Sequence, residues 1–147
     1  MKVTGDQVAA LRPVLTGDVA AHERLYSRLD PASKNNYGVL IVAAFFEAAY
    51  RKFGKGGTPS DVAEFVKRAR ARSDDLATSI DPRVAERLIL ATFTDEQIDD
   101  ISDELKGGHY ILLLAGLIAD FNLSDSGLEA FLDDARKLAD EWLAEES

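Results

Sequence analysis

Six carboxylates crowd one short stretch of this chain: Asp95, Glu96, Asp99, Asp100, Asp103 and Glu104. At four-residue spacing they form two rows, Asp95/Asp99/Asp103 and Glu96/Asp100/Glu104. On a helix these rows set like charges side by side, at a cost of roughly a few tenths of a kcal/mol per pair. Ile98, Ile101 and Leu105 then mark the side that faces the core. The plain reading is a solvated helix face whose early acids meet the positive helix N-terminus. Among functional readings, a docking face for a basic partner ranks ahead of a metal site. The last helix adds Asp140, Glu141, Glu145 and Glu146 at a C-terminus, where the helix dipole prefers cations.

Positive charge gathers elsewhere. Residues 51–72 carry Arg51, Lys52, Lys55, Lys67, Arg68, Arg70 and Arg72 against Asp61 and Glu64. Phosphate contact by Lys67, Arg68, Arg70 and Arg72 would make 59–72 a nucleic-acid element. Two features weigh against that. The four cations spread around the helix rather than forming one stripe, and acids before bases is the order any helix dipole favours. The formal net charge of −9 also repels phosphate.

Other chemistry is thin. His22-Glu23-Arg24-Leu25-Tyr26 lacks the second histidine of a zinc-protease helix. His109, after Gly107-Gly108, is expected to open a helix as a partly exposed imidazole. Glu47, alone in an apolar run, is either a buried acid with a raised pKa or the partner of Arg51 four residues on; the ion pair is preferred. Asn122, Ser124, Ser126, Gly127 and Asp133 fall on calcium-loop positions, but Glu129 takes an apolar position and the first three ligands are uncharged, so calcium is rejected. Gly54-Lys55-Gly56-Gly57 has no P-loop spacing. The absence of cysteine excludes thiolate metal sites and cysteine catalysis. No cofactor and no metal are expected.

Charge also divides the chain. Residues 1–75 hold 12 Lys/Arg against 9 Asp/Glu, and residues 76–147 hold 5 against 17. Such a dipolar chain folds one half on the other or meets a partner of opposite sign. Apolar residues make up 46% and charged ones 29%, ordinary values for a folded globule. Met-Lys-Val-Thr-Gly-Asp lacks the apolar stretch of a secretion leader, and a cytoplasmic location is expected. The apolar runs 38–50 and 110–119 are too short to span a bilayer, which needs about 20 residues.

Helices must position all of this. Thr4/Gln7, Thr58/Asp61, Thr94/Gln97 and Ser126/Glu129 have capping-box spacing, and Asp30-Pro31 and Asp81-Pro82 are acidic caps before a first-turn proline. Gly54, Gly107-Gly108 and Asn122 are expected stops. Helices are predicted at about 5–12 (ending before Pro13), 17–29, 36–53, 59–73, 82–93, 95–105, 109–121 and 126–145, with a loop at 73–81 and no sheet. Residues 38–46, GVLIVAAFF, are apolar on every side, so this segment must be surrounded.

The expected fold is therefore all-α, a single-domain irregular or orthogonal bundle of about 7–8 helices around 37–53 and 109–121. The expected function is a non-enzymatic interaction or regulatory module. Its acidic C-terminal half (Asp95, Glu96, Asp99, Asp100, Asp103, Glu104, Asp140, Glu141) would dock a basic protein or a second copy, so a homodimer is plausible. The alternatives are a DNA-binding regulator using 59–72 and a small-ligand-binding bundle built on Glu47 or His109.

Overall fold

A computed structural model describes residues 2–145, apart from the side chain of Val19. The described residues form eight helices and no strand: α1 (Gly5–Thr16), α2 (Val19–Ser27), α3 (Pro31–Phe53), α4 (Pro59–Arg70), α5 (Asp74–Ser79), α6 (Pro82–Leu90), α7 (Asp103–Phe121) and α8 (Asp125–Glu145). No helix is long and apolar enough to cross a membrane.

The central helix is α3. Asp30 caps it through the Ser33 amide, with Pro31 in the first turn, so the 36–53 segment begins five residues earlier as one continuous helix. It packs most extensively on α8 and then on α7. Arg51 pairs with Asp134 at 2.6 Å and Phe46 meets Trp142 edge-on at 5.4 Å, so α8 runs antiparallel to α3. Lys52 reaches Asp120 near the end of α7, while Gly38 and Asp103 share a groove near the start, so α7 runs parallel to α3. Leu40, Ala43, Ala44, Phe45, Ala48 and Ala49 are completely buried between these neighbours.

α1 closes a further side. Arg136 donates to the Val3 carbonyl, Asp140 Oδ1 accepts from the Val3 amide at 2.7 Å, and Arg12 pairs with Glu129, so α1 lies antiparallel along α8. The Arg12 guanidinium holds the Glu129 carboxyl below its ordinary range. The expected stop before Pro13 is not observed: α1 runs through Pro13 to Thr16 and ends at Gly17, whose φ of 80° is left-handed. An interior proline costs about 3 kcal/mol. Leu11, Val14 and Leu15 are all buried, and each such burial contributes about 1.5–3 kcal/mol, so packing outweighs the lost bond.

α4, α5 and α6 form the other flank. Phe65 of α4 meets Phe53 of α3 edge-on at 6.0 Å, and Phe53 stacks on Phe93 beyond α6. Capping boxes form at Thr4/Gln7 and Thr58/Asp61, as their spacing predicts. The 73–81 segment, expected as a loop, contains α5: Ser73 caps it at one end and Arg70 donates to the Ala77 and Ile80 carbonyls at the other. Gly107-Gly108 does not stop a helix. Ser102 caps α7 seven residues before His109, and the glycines lie inside it. α8 likewise starts at Asp125, one residue before the expected Ser126, and it is Ser124 Oγ that accepts the Gly127 amide.

Phe45 tests the central position of α3. It is wholly buried, with its ring 4.9 Å from that of Tyr110. Phe45→Ala should cost about 3–5 kcal/mol, read as a lower denaturant midpoint by circular dichroism with an unchanged slope.

Candidate functional site

The segment that must be surrounded is surrounded incompletely. Gly38 is exposed, and Val39, Val42 and Phe46 are only half-buried, although the opposite side of α3 is dry. Lys34, Asn35, Gly38, Val39 and Val42 lie on one face by helical spacing. They form one wall of a groove of ≈ 930 Å³. Its other wall is Trp142 and Glu145 of α8, and Asp103 at the start of α7 closes one edge. Trp142, the single tryptophan of the chain, is half-buried against Phe46. The Lys34 ammonium is drawn aside over the Tyr26 ring, 5.1 Å from its centroid.

The acidic segment is built differently from its expected form. Residues 95–105 are not one helix: 91–102 is a loop, and of the six carboxylates only Asp103 and Glu104 are helical, in the first turn of α7. The two carboxylate rows therefore do not exist as a helix face. Thr94 does not cap a helix either; its hydroxyl donates to the Leu90 carbonyl and accepts the Glu96 amide. The organiser is Arg87. Its guanidinium binds Glu96 at 3.0 Å, both oxygens of Asp100 at 2.7 and 2.9 Å, and the Gln97 carbonyl. One bidentate arginine neutralising two acids and holding a carbonyl outcompetes a helix that would align like charges. Ile101 is buried beneath the loop.

Of the eight acids expected to dock a partner, Glu96 and Asp100 are thus held by Arg87 and Asp140 by the Val3 amide. Asp103 pairs with Lys106 at 3.4 Å yet is fully exposed. Asp95, Asp99, Glu104 and Glu141 are exposed without an ion pair among the described residues. Glu146 lies outside the described residues.

Much of the basic segment is paired within the fold. Arg72, Arg68 and Lys52 converge on Asp120 at 2.8, 3.4 and 3.4 Å, and Asp120 is only 12% exposed at its side chain. Arg70 is committed to the end of α5. Of Lys67, Arg68, Arg70 and Arg72, only Lys67 carries neither an ion pair nor a backbone bond among the described residues. Glu47 pairs with Arg51 at 3.1 Å, the ion pair preferred from the spacing.

His109 sits in the second turn of α7 and is buried, not partly exposed at a helix start. Its Nε2 accepts the Asp81 amide at 3.0 Å, so Nδ1 carries the hydrogen and donates to the Leu105 carbonyl at 2.9 Å. Both nitrogens are occupied in fastening the start of α6 to α7. His22 lies among Tyr26 and Tyr37, each ring 5.9 Å away, and burial lowers its pKa. Its Nε2 and the Tyr37 hydroxyl have no hydrogen-bond partner among the described residues. The groove residues Val39, Val42 and Trp142 were not among the expected site residues; the sequence signal for them is a helix with no polar face to turn outward. The chain matches no protein-family model, no curated protein and no solved structure.

The Arg87 clip makes a pH prediction. Its hydrogen bonds hold the Asp100 carboxyl at about 2, below an ordinary value of 3.8. The clip therefore contributes fully above about pH 4, and its contribution is lost as pH falls through about 2. Carboxyl NMR titration should place the Asp100 midpoint near that lower value. Arg87→Ala should return it towards the ordinary one and speed amide exchange at 95–101. For His109, replacement by leucine removes the acceptor of the Asp81 amide and should cost about 0.5–1.5 kcal/mol of unfolding free energy; an unchanged denaturation midpoint would refute that fastening role.

Proposed function

We propose that this chain is a non-enzymatic interaction module whose α3–α7–α8 groove receives a basic amphipathic helix. One observation carries the reading: the central apolar helix keeps Val39 and Val42 half-exposed beside Trp142, where acids rim the groove. Apolar anchors in such a groove receive the i, i+3, i+4 face of a helix, and a tryptophan on the wall is the usual kind of binding hot spot. Asp103 and Glu145 stand at the edges, and Glu141, one turn before Glu145, extends the negative side. A partner helix with lysines flanking its apolar face complements this rim and is steered by the net charge of −9.

The acidic half thus remains the docking half, with its centre at Asp103, Glu141 and Glu145 rather than along 95–104. The inward commitment of Arg68, Arg70 and Arg72 favours a protein partner over nucleic acid. The net charge of −9 also opposes phosphate.

Trp142 is the reporter. A short amphipathic peptide of leucine and lysine should blue-shift and saturate its fluorescence, with binding weakened by salt. The leucine–glutamate counterpart should leave it unchanged. Val42→Asp should abolish the shift, and Asp103→Lys with Glu145→Lys should reverse the preference between the two peptides. Equal response to both peptides, or full response in Val42→Asp, would remove the proposal.

A further inference from the structure

A second concavity lies towards the opposite end of α7. It is a cleft of ≈ 310 Å³ between the end of α1, the end of α4, α5 and the middle of α7. Val14, Leu15, Leu76 and Leu112 wall it, and Ala115 and Gly116 leave it open on the α7 side. Close helix packing does not demand that glycine. A Cβ there would meet only the Phe65 ring, at an ordinary 3.5 Å. The cleft has room for about ten non-hydrogen atoms at roughly 30 Å³ each, near the lower end of small-molecule sites.

One side chain with free donors stands at its wall. Arg72 gives Nη2 to Asp120, and its Nε and Nη1 have no hydrogen-bond partner among the described residues. Thr16, the other polar side chain there, has its hydroxyl on the Pro13 carbonyl at 3.3 Å. The Asp120 cluster draws Lys52, Arg68 and Arg72 onto one carboxylate beside the cleft. Arg68 lines a different hollow, and Arg72 is the cation that lines the cleft and that a ligand there meets.

We propose that this cleft binds a small organic anion with an apolar tail, an alkyl carboxylate, tail between Leu15, Leu76 and Leu112 and head on Arg72. An apolar body enclosed by hydrocarbon and one charge-assisted contact at the mouth is the usual division of labour in such sites. The site is separate from the α3–α7–α8 groove and stands whether or not that groove binds a helix.

Isothermal titration calorimetry on the full chain tests it with octanoate, octanol and butanoate. Octanoate should bind saturably at one site, and octanol, which keeps the tail without the charge, about tenfold more weakly. Butanoate, which keeps the charge with little tail, should show no saturation. Arg72→Gln should lower octanoate to the level of octanol, and Ala115→Leu, which fills the cleft, should abolish both. Ala119→Leu, on the same wall, serves if Ala115→Leu fails to fold by circular dichroism. Absent saturation by octanoate, equal affinity for octanol, or unweakened binding in a folded cleft-filling variant would each overturn the proposal.

Discussion

Helix α3 has no polar side to offer water through its middle, and the rest of the molecule is arranged around that constraint. An all-apolar helix is stable only inside a ring of partners. Here α1, α7 and α8 supply three of them, each held along α3 or its neighbours by contacts at both ends. Val3 meets Asp140 and Arg136, Arg12 meets Glu129, Arg51 meets Asp134, and Lys52 meets Asp120. The ion pairs lie at the surface, where each contributes at most about 1 kcal/mol. They set register and direction; the buried Leu40, Phe45, Leu113, Leu117 and Phe131 supply the stabilisation.

Charge in this chain is organised by a few hubs rather than by halves. Asp120 gathers Lys52, Arg68 and Arg72, while Arg87 gathers Glu96 and Asp100. The basic 51–72 segment therefore faces an acid from the C-terminal half, and the acidic 95–104 segment faces a base from outside its own run. Each hub converts a locally repulsive cluster into a fastening: α4 to α7 in the first case, the 91–102 loop to α6 in the second. What stays uncompensated is narrower than the charge totals imply. Among the acids expected to dock a partner, those at 95, 99, 104 and 141 are exposed without an ion pair among the described residues.

Features read from neighbouring residues were legible in the sequence; those decided by distant residues were not. The Thr4/Gln7 and Thr58/Asp61 boxes, the Asp30-Pro31 and Asp81-Pro82 starts and the Asn122 stop all form, because a cap needs only its own four or five residues. Pro13 misled because the burial of Val14 and Leu15 against the bundle is a tertiary gain. The 95–105 helix misled because Arg87, outside the window, offers its carboxylates a better partner than helical rows do. α5 was invisible for the same reason: its last carbonyls are satisfied by Arg70 of the preceding helix. The groove was legible only as a problem, a helix with too much apolar surface, and not as a location.

Two features that stability alone does not explain meet at one edge of the molecule. Acids at a helix C-terminus each cost about 0.3–1 kcal/mol. Asp140 is compensated by the Val3 amide, but Glu141 and Glu145 have no such partner among the described residues. Beside them Val39, Val42 and Trp142 keep apolar surface half in water, where fuller burial would contribute more. Local costs of unrelated kinds are expected to scatter if they are accidents of packing, and to coincide where a surface is shaped for something that is not part of the folded chain. A basic amphipathic helix would remove both at once, neutralising the acids and covering the valines.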